Sequence, residues 1–93
     1  MLEDLKKRVC NANLELAKQG VVIYTWGNVS GISDDRKYMV IKPSGVDYDD
    51  MNPMDMVVVD IASGERVEGK WNPSSDTKTH LELYRKYSSI KGI

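Results

Sequence analysis

Three short turns carry the residue types most able to do chemistry in this chain: Gly27-Asn28, Ser44-Gly45, and Ser74-Ser75 followed by Asp76. Each offers a small hydroxyl or carboxamide beside backbone N–H groups that a turn leaves without a ladder partner. Neutral donors of this kind suit a phosphate and sugar hydroxyls, provided the chain brings the turns together. The third turn lies in Trp71-Asn72-Pro73-Ser74-Ser75-Asp76-Thr77, and Thr77 to Tyr87 has helical character. A loop entering a helix meets the positive end of the macrodipole, where the first N–H groups lack intrahelical partners. Asp76 has two readings there. It can cap the helix, the commonest use of Ser and Asp at such a place. It can also have another task, because a carboxylate beside an anion site is out of place if the loop only holds an anion. Each turn alone is most simply a turn, and the signal lies in the set. None has the glycine density of a Walker loop or a dinucleotide fingerprint, which disfavours a nucleotide.

The elements that must position these turns follow from periodicity. Leu2, Leu5, Val9, Ala12 and Leu16 recur at spacings of three and four, one apolar stripe on an amino-terminal helix. Its acids come early and its bases late, as the macrodipole favours. Gly20 is a natural residue for the position after the helix, which should end near Gln19. Cys10 borders the stripe and reads as a small packing residue. Val21-Val22-Ile23 forms a short apolar bridge to Tyr24-Thr25-Trp26-Gly27-Asn28. Val29 to Ser33 and Tyr38 to Lys42 read as a hairpin about Asp34-Asp35-Arg36, ended by Pro43-Ser44-Gly45. Tyr48 to Pro53 is a polar connection with room for one helical turn. Met54 to Ile61 is a valine-rich strand that turns at Ala62-Ser63-Gly64 into Glu65 to Glu68. His80, Leu81, Leu83, Tyr84 and Tyr87 give the second helix a partly apolar face, and Ser88 to Ile93 begins another strand. The expected fold class is α/β, an amino-terminal helix packed on a largely antiparallel sheet. A domain rarely ends on a bare apolar Gly-Ile, so residues 1–93 are expected to be the amino-terminal part of a longer domain.

Composition narrows the function. The chain has 93 residues, 41% hydrophobic and 29% charged, with a net charge of -1. That is ordinary for a soluble single domain. No basic excess exists to neutralise a phosphate backbone, so no nucleic-acid partner is expected. The apolar runs are three or four residues long, and no membrane association is expected. The single cysteine excludes an internal disulfide and a cysteine-built zinc site, which fits a reducing cytoplasm.

Thr25-Trp26-Gly27-Asn28-Val29-Ser30, Ile41-Lys42-Pro43-Ser44-Gly45-Val46 and Pro73-Ser74-Ser75-Asp76-Thr77-Lys78-Thr79-His80 together resemble the amino-terminal part of the L-ribulose-5-phosphate 4-epimerase family. That family belongs to the class II aldolase/adducin superfamily, with L-fuculose-phosphate aldolase as a near relative. The resemblance runs from Met1 to Ile93 with the motifs in order. It implies that Gly27, Asn28, Ser44, Gly45, Ser74 and Ser75 bind a sugar-phosphate substrate and that Asp76 stands at the metal centre. It also implies a zinc cofactor whose histidines, like the acid/base residues, lie past Ile93, so no catalytic residue falls in this chain. The implied reaction is a retro-aldol step and re-addition that inverts C4 and gives D-xylulose 5-phosphate, with zinc as a Lewis acid. A homo-oligomer, tetramer-like, is expected for the full-length protein, and the 93-residue chain alone is expected to be inactive. His80, the one histidine, is expected to pack or face solvent rather than bind metal. The rival readings are a class II aldolase of the L-fuculose-phosphate type and a truncated, non-catalytic adducin-like module.

Overall fold

The computed structural model describes residues 1–20 and 27–93. The apolar bridge Val21-Val22-Ile23 and the Tyr24-Thr25-Trp26 half of the first motif lie outside the described residues.

Helix α1 runs Glu3–Lys18 and helix α2 runs Thr77–Lys86. Between them, among the described residues, lie four strands: β1 Ser30–Ile32, β2 Tyr38–Ile41, β3 Val57–Asp60 and β4 Arg66–Glu68. They form one antiparallel meander in the order β1-β2-β3-β4. The β1–β2 register sets Gly31 opposite Val40, and the β2–β3 register sets Val40 opposite Val58.

The central strands are apolar on both faces because each face has its own helix. Val40 and Val58 point to one side, into a cluster with Leu5, Val9, Cys10, Tyr48, Met51 and Met56. Met39, Ile41, Val57 and Val59 point to the other, against Ile32, Ile61, Leu81 and Tyr84. Successive strand residues alternate faces, so Tyr-Met-Val-Ile and Val-Val-Val each feed two cores at once. The sheet is thus sandwiched between α1 and α2.

Several expectations shift in detail. The stripe of α1 centres on Leu5 and Val9 as expected, but its deepest positions also include Lys6, Cys10 and Asn13. Ala12 and Leu16 lie only half-buried at its margin. Strand β3 starts at Val57 rather than Met54, since Pro53–Asp55 forms a 3₁₀ turn that leaves Met54 exposed. The proline fixes φ for such a turn, and the Asn52 and Asp55 side chains cap it reciprocally. Tyr48–Asp50 makes the single turn expected in that connection. The terminal Lys91 to Ile93 does pair with β1: Ser30 N–H donates to Ile93 O at 2.9 Å, and Ile93 N–H donates back to Ser30 O at 3.1 Å.

Candidate functional site

Gly27, Asn28, Ser44, Gly45, Ser74, Ser75 and Asp76 line one cleft of about 410 Å³, together with Lys42. Three sequence segments converge there: the approach to β1, the loop leaving β2, and the entry to α2. Their meeting has identifiable causes.

The β2 end and the α2 entry are laced backbone to backbone. Ser44 N–H donates to Asn72 O at 2.8 Å, and Ser74 N–H donates to Lys42 O at 3.0 Å. Pro43 and Pro73 face each other across this lacing, where neither could have donated. Gly45, with φ 73°, then turns the chain away in a left-handed conformation that costs glycine little. The α2 entry is folded on itself: Thr77 N–H and Oγ1 both reach Ser74 O, at 3.1 and 2.6 Å. Ser74 Oγ accepts the Asp76 N–H at 3.3 Å, so this serine organises its own turn and is buried, whereas Ser75 is exposed at the cleft. Among the described residues, the Gly45 and Ser75 N–H groups donate to no protein acceptor.

The approach to β1 is tied to both neighbours. Asn28 Nδ2 donates to Asp76 Oδ2 at 2.7 Å. Tyr48 donates its hydroxyl to Gly27 O at 2.8 Å while its ring lies 5.3 Å below the Lys42 ammonium. One tyrosine therefore joins the first loop to the lysine of the second.

Lys42 is the residue that sequence reasoning missed. A lysine ending a strand reads as solvent-facing, yet this one is only 2% exposed. Its Nζ donates to Pro43 O at 3.1 Å, and burial pulls its pKa below the ordinary lysine value. A buried cation at the wall of this cleft adds positive charge to a set of neutral donors. The one available signal was its place beside Pro43-Ser44-Gly45, inside a turn already read as a phosphate loop.

Asp76 does not use its side chain as a helix cap: it occupies the cap position of α2 without a capping hydrogen bond. The carboxylate instead receives Asn28. That bond fixes the carboxamide the other way round, leaving Asn28 Oδ1 buried and without a partner. A buried acceptor of this kind is normally satisfied, so Asn28 Oδ1 stands out among the described residues. His80 packs, as expected. Its Nδ1 lies 2.6 Å from Ser30 Oγ, which also meets the Tyr84 hydroxyl at 2.8 Å. Burial lowers the His80 pKa more than the nearby Asp76 raises it, so the ring is neutral at pH 7.

A metal finds one donor here. Asp76 can offer a carboxylate oxygen, but no three His, Cys, Asp or Glu side chains come together among the described residues. Zinc sites take three or four protein ligands, and the described residues bring together fewer. Among the described residues no helix is long and apolar enough to cross a membrane.

Residues 7–93 match the family model described as Class II Aldolase and Adducin N-terminal domain. Solved structures agree with that match. The chain is similar to an L-fuculose 1-phosphate aldolase at 32% identity and TM-score 0.87, over 96% of this chain and 42% of the other. YgbL from Escherichia coli, described as a putative aldolase/epimerase/decarboxylase, matches at 23% identity and TM-score 0.85, over 97% of this chain and 42% of that one. The L-fuculose 1-phosphate aldolase from Glaciozyma antarctica PI12 has the same fold at 16% identity and TM-score 0.83, over 97% and 38%. The chain thus spans about two fifths of the length of these structures, 42% in the first.

Proposed function

The chain belongs to the class II aldolase and adducin family, and from that premise we propose that its cleft holds the phosphate of a sugar phosphate. The whole protein is read as an enzyme of the L-ribulose-5-phosphate 4-epimerase type. The observation that carries the reading is the buried Lys42 set among the Ser44-Gly45 and Ser74-Ser75 turns. Lys42 supplies the charge, Gly45 and Ser75 the unengaged N–H groups, and Ser44 and Ser75 exposed hydroxyls. The entry to α2 adds its dipole. Asn28 lines the same cleft, with its carboxamide oriented by Asp76.

Asp76 cannot share the phosphate's place, since two anions in one cleft repel. Its carboxylate belongs at the reacting end of the substrate, where it contributes one oxygen to the zinc site of the complete protein. No step is assigned to a metal on this chain. Its own part is to anchor phosphate through neutral donors and one lysine, leaving the rest of the substrate free to turn.

A second reading has a specific support, the 32% identity to an L-fuculose 1-phosphate aldolase. Both reactions need a phosphate cleft, but the phosphate sits on the aldehyde half of L-ribulose 5-phosphate and on the ketone half of L-fuculose 1-phosphate. The intact protein carrying this chain should convert L-ribulose 5-phosphate to D-xylulose 5-phosphate. Cleavage of L-fuculose 1-phosphate without epimerisation would select the aldolase, and turnover of neither would select a non-catalytic module.

A further inference from the structure

We propose that Asn13, on α1 and outside the cleft, is a positioning residue that aims Asn28. Asn13 is fully buried, an unusual place for a carboxamide on the apolar face of a helix. Its side chain binds Val29 as a strand neighbour would. Val29 N–H donates to Asn13 Oδ1 at 2.7 Å, and Asn13 Nδ2 donates to Val29 O at 3.0 Å. The second Nδ2 hydrogen goes to Val9 O at 2.8 Å, one helical turn back. Three of the four hydrogen bonds a carboxamide can make are therefore used, and two of them grip one peptide residue. The orientation is unambiguous, because the Val29 N–H can meet only the oxygen.

Val29 is the single residue between Asn28 and the start of β1 at Ser30. Ser30 is fixed in turn by His80 and Tyr84 through its hydroxyl and by Ile93 through its backbone. Asn28 leaves this clamped pair with little freedom, which sets its Nδ2 on Asp76 and its Oδ1 inward. Without Asn13, Val29 loses both of its described side-chain partners, and the residue carrying the cleft's carboxamide is held from one side only. Groups that hold a contacting residue in place act on binding much as the contact itself does.

The assignment of a ligand to the cleft rests on the phosphate reading above; the aim of Asn28 does not. The test is nitrogen-15 NMR on the chain, comparing wild type with Asn13→Leu, which keeps the branching and heavy-atom count and removes all three bonds. In wild type the Asn28 side-chain NH₂ resonance should shift when Asp76→Asn removes the charge of its acceptor; absence of that shift would overturn the proposal at once. In Asn13→Leu the linked shift should be lost, and affinity for inorganic phosphate should fall about tenfold in protein that is still folded. A folded variant with the wild-type Asn28 shift would show Asn13 to be structural only, whatever its melting temperature. If wild type binds no phosphate, the phosphate reading fails while the Asn28 shift still decides the role of Asn13. Should Asn13→Leu not fold, Asn13→Asp keeps the acceptor for Val29 N–H and loses the donor, and is judged by the same Asn28 shift.

Discussion

Lys42 sets two quantities against each other. Replacing it with Met removes the desolvation cost of a buried cation but also its bond to Pro43 O and its contact over the Tyr48 ring, so the change in thermal stability should be small. Phosphate affinity should fall about 10–100-fold, the worth of one charge-assisted hydrogen bond of about 1.5–3 kcal/mol. Calorimetry and a melting curve on Lys42→Met read both; loss of stability with unchanged phosphate binding would make Lys42 a core residue. Asp76→Asn separates a different pair of roles. Because Asp76 makes no side-chain cap bond, the change should leave the fold intact. In the intact protein it should cost at least about tenfold in kcat/KM or zinc affinity. His80 predicts a pH effect. Its pKa is held below the ordinary value of 6.5, mainly by burial, so between the two values the unfolded chain binds the proton and the folded chain does not. Stability should therefore fall as pH drops below about 6.5. The decline should flatten in His80→Gln; a flat wild-type melting temperature from pH 7.5 to 5 would contradict it. At this scale the sequence was legible where polar side chains sit in turns. It was opaque where a polar side chain is buried, since neither the Lys42 cation nor the Asn13 carboxamide carries a periodic signature.

At the level of elements, α1 and β1 meet through a glycine. A Cβ on Gly31 would lie 2.9 Å from Leu5 Cδ1 and 3.0 Å from Val9 Cγ2. Gly31→Ala should therefore push α1 outward and cost about 1–3 kcal/mol, as overpacking does. Chemical denaturation measures it, and a change within a few tenths would mean that Leu5 and Val9 yield freely. Both helices and all four strands were legible, because the apolar runs and the turns at Asp34-Asp35 and Ser63-Gly64 punctuate the chain plainly. The start of β3 was not. Met54 is apolar, but Pro53 and the Asn52–Asp55 capping pair draw it into a turn, and local turn chemistry outweighed hydropathy there. The roll of α1 toward Cys10 and Asn13 was hidden for a related reason: a stripe read from apolar residues alone leaves out a buried Asn.

For the molecule as a whole, the sheet serves as a frame between two helices, and its ends carry the cleft. Convergence of turns distant in sequence is a property of the meander's register, which residue types alone do not give. The motifs reveal it only as a set. The family places this fold in class II aldolases and adducins, and the cleft's chemistry is the part open to direct trial. The most direct measurement is a titration of the chain with inorganic phosphate, followed through backbone amides by nitrogen-15 NMR. The account predicts saturable shifts concentrated at Gly45 and Ser75, with Ser44 and Asn28 following, and their loss in Lys42→Met. No saturable shift at Gly45 and Ser75, or shifts that persist undiminished in Lys42→Met, would contradict it.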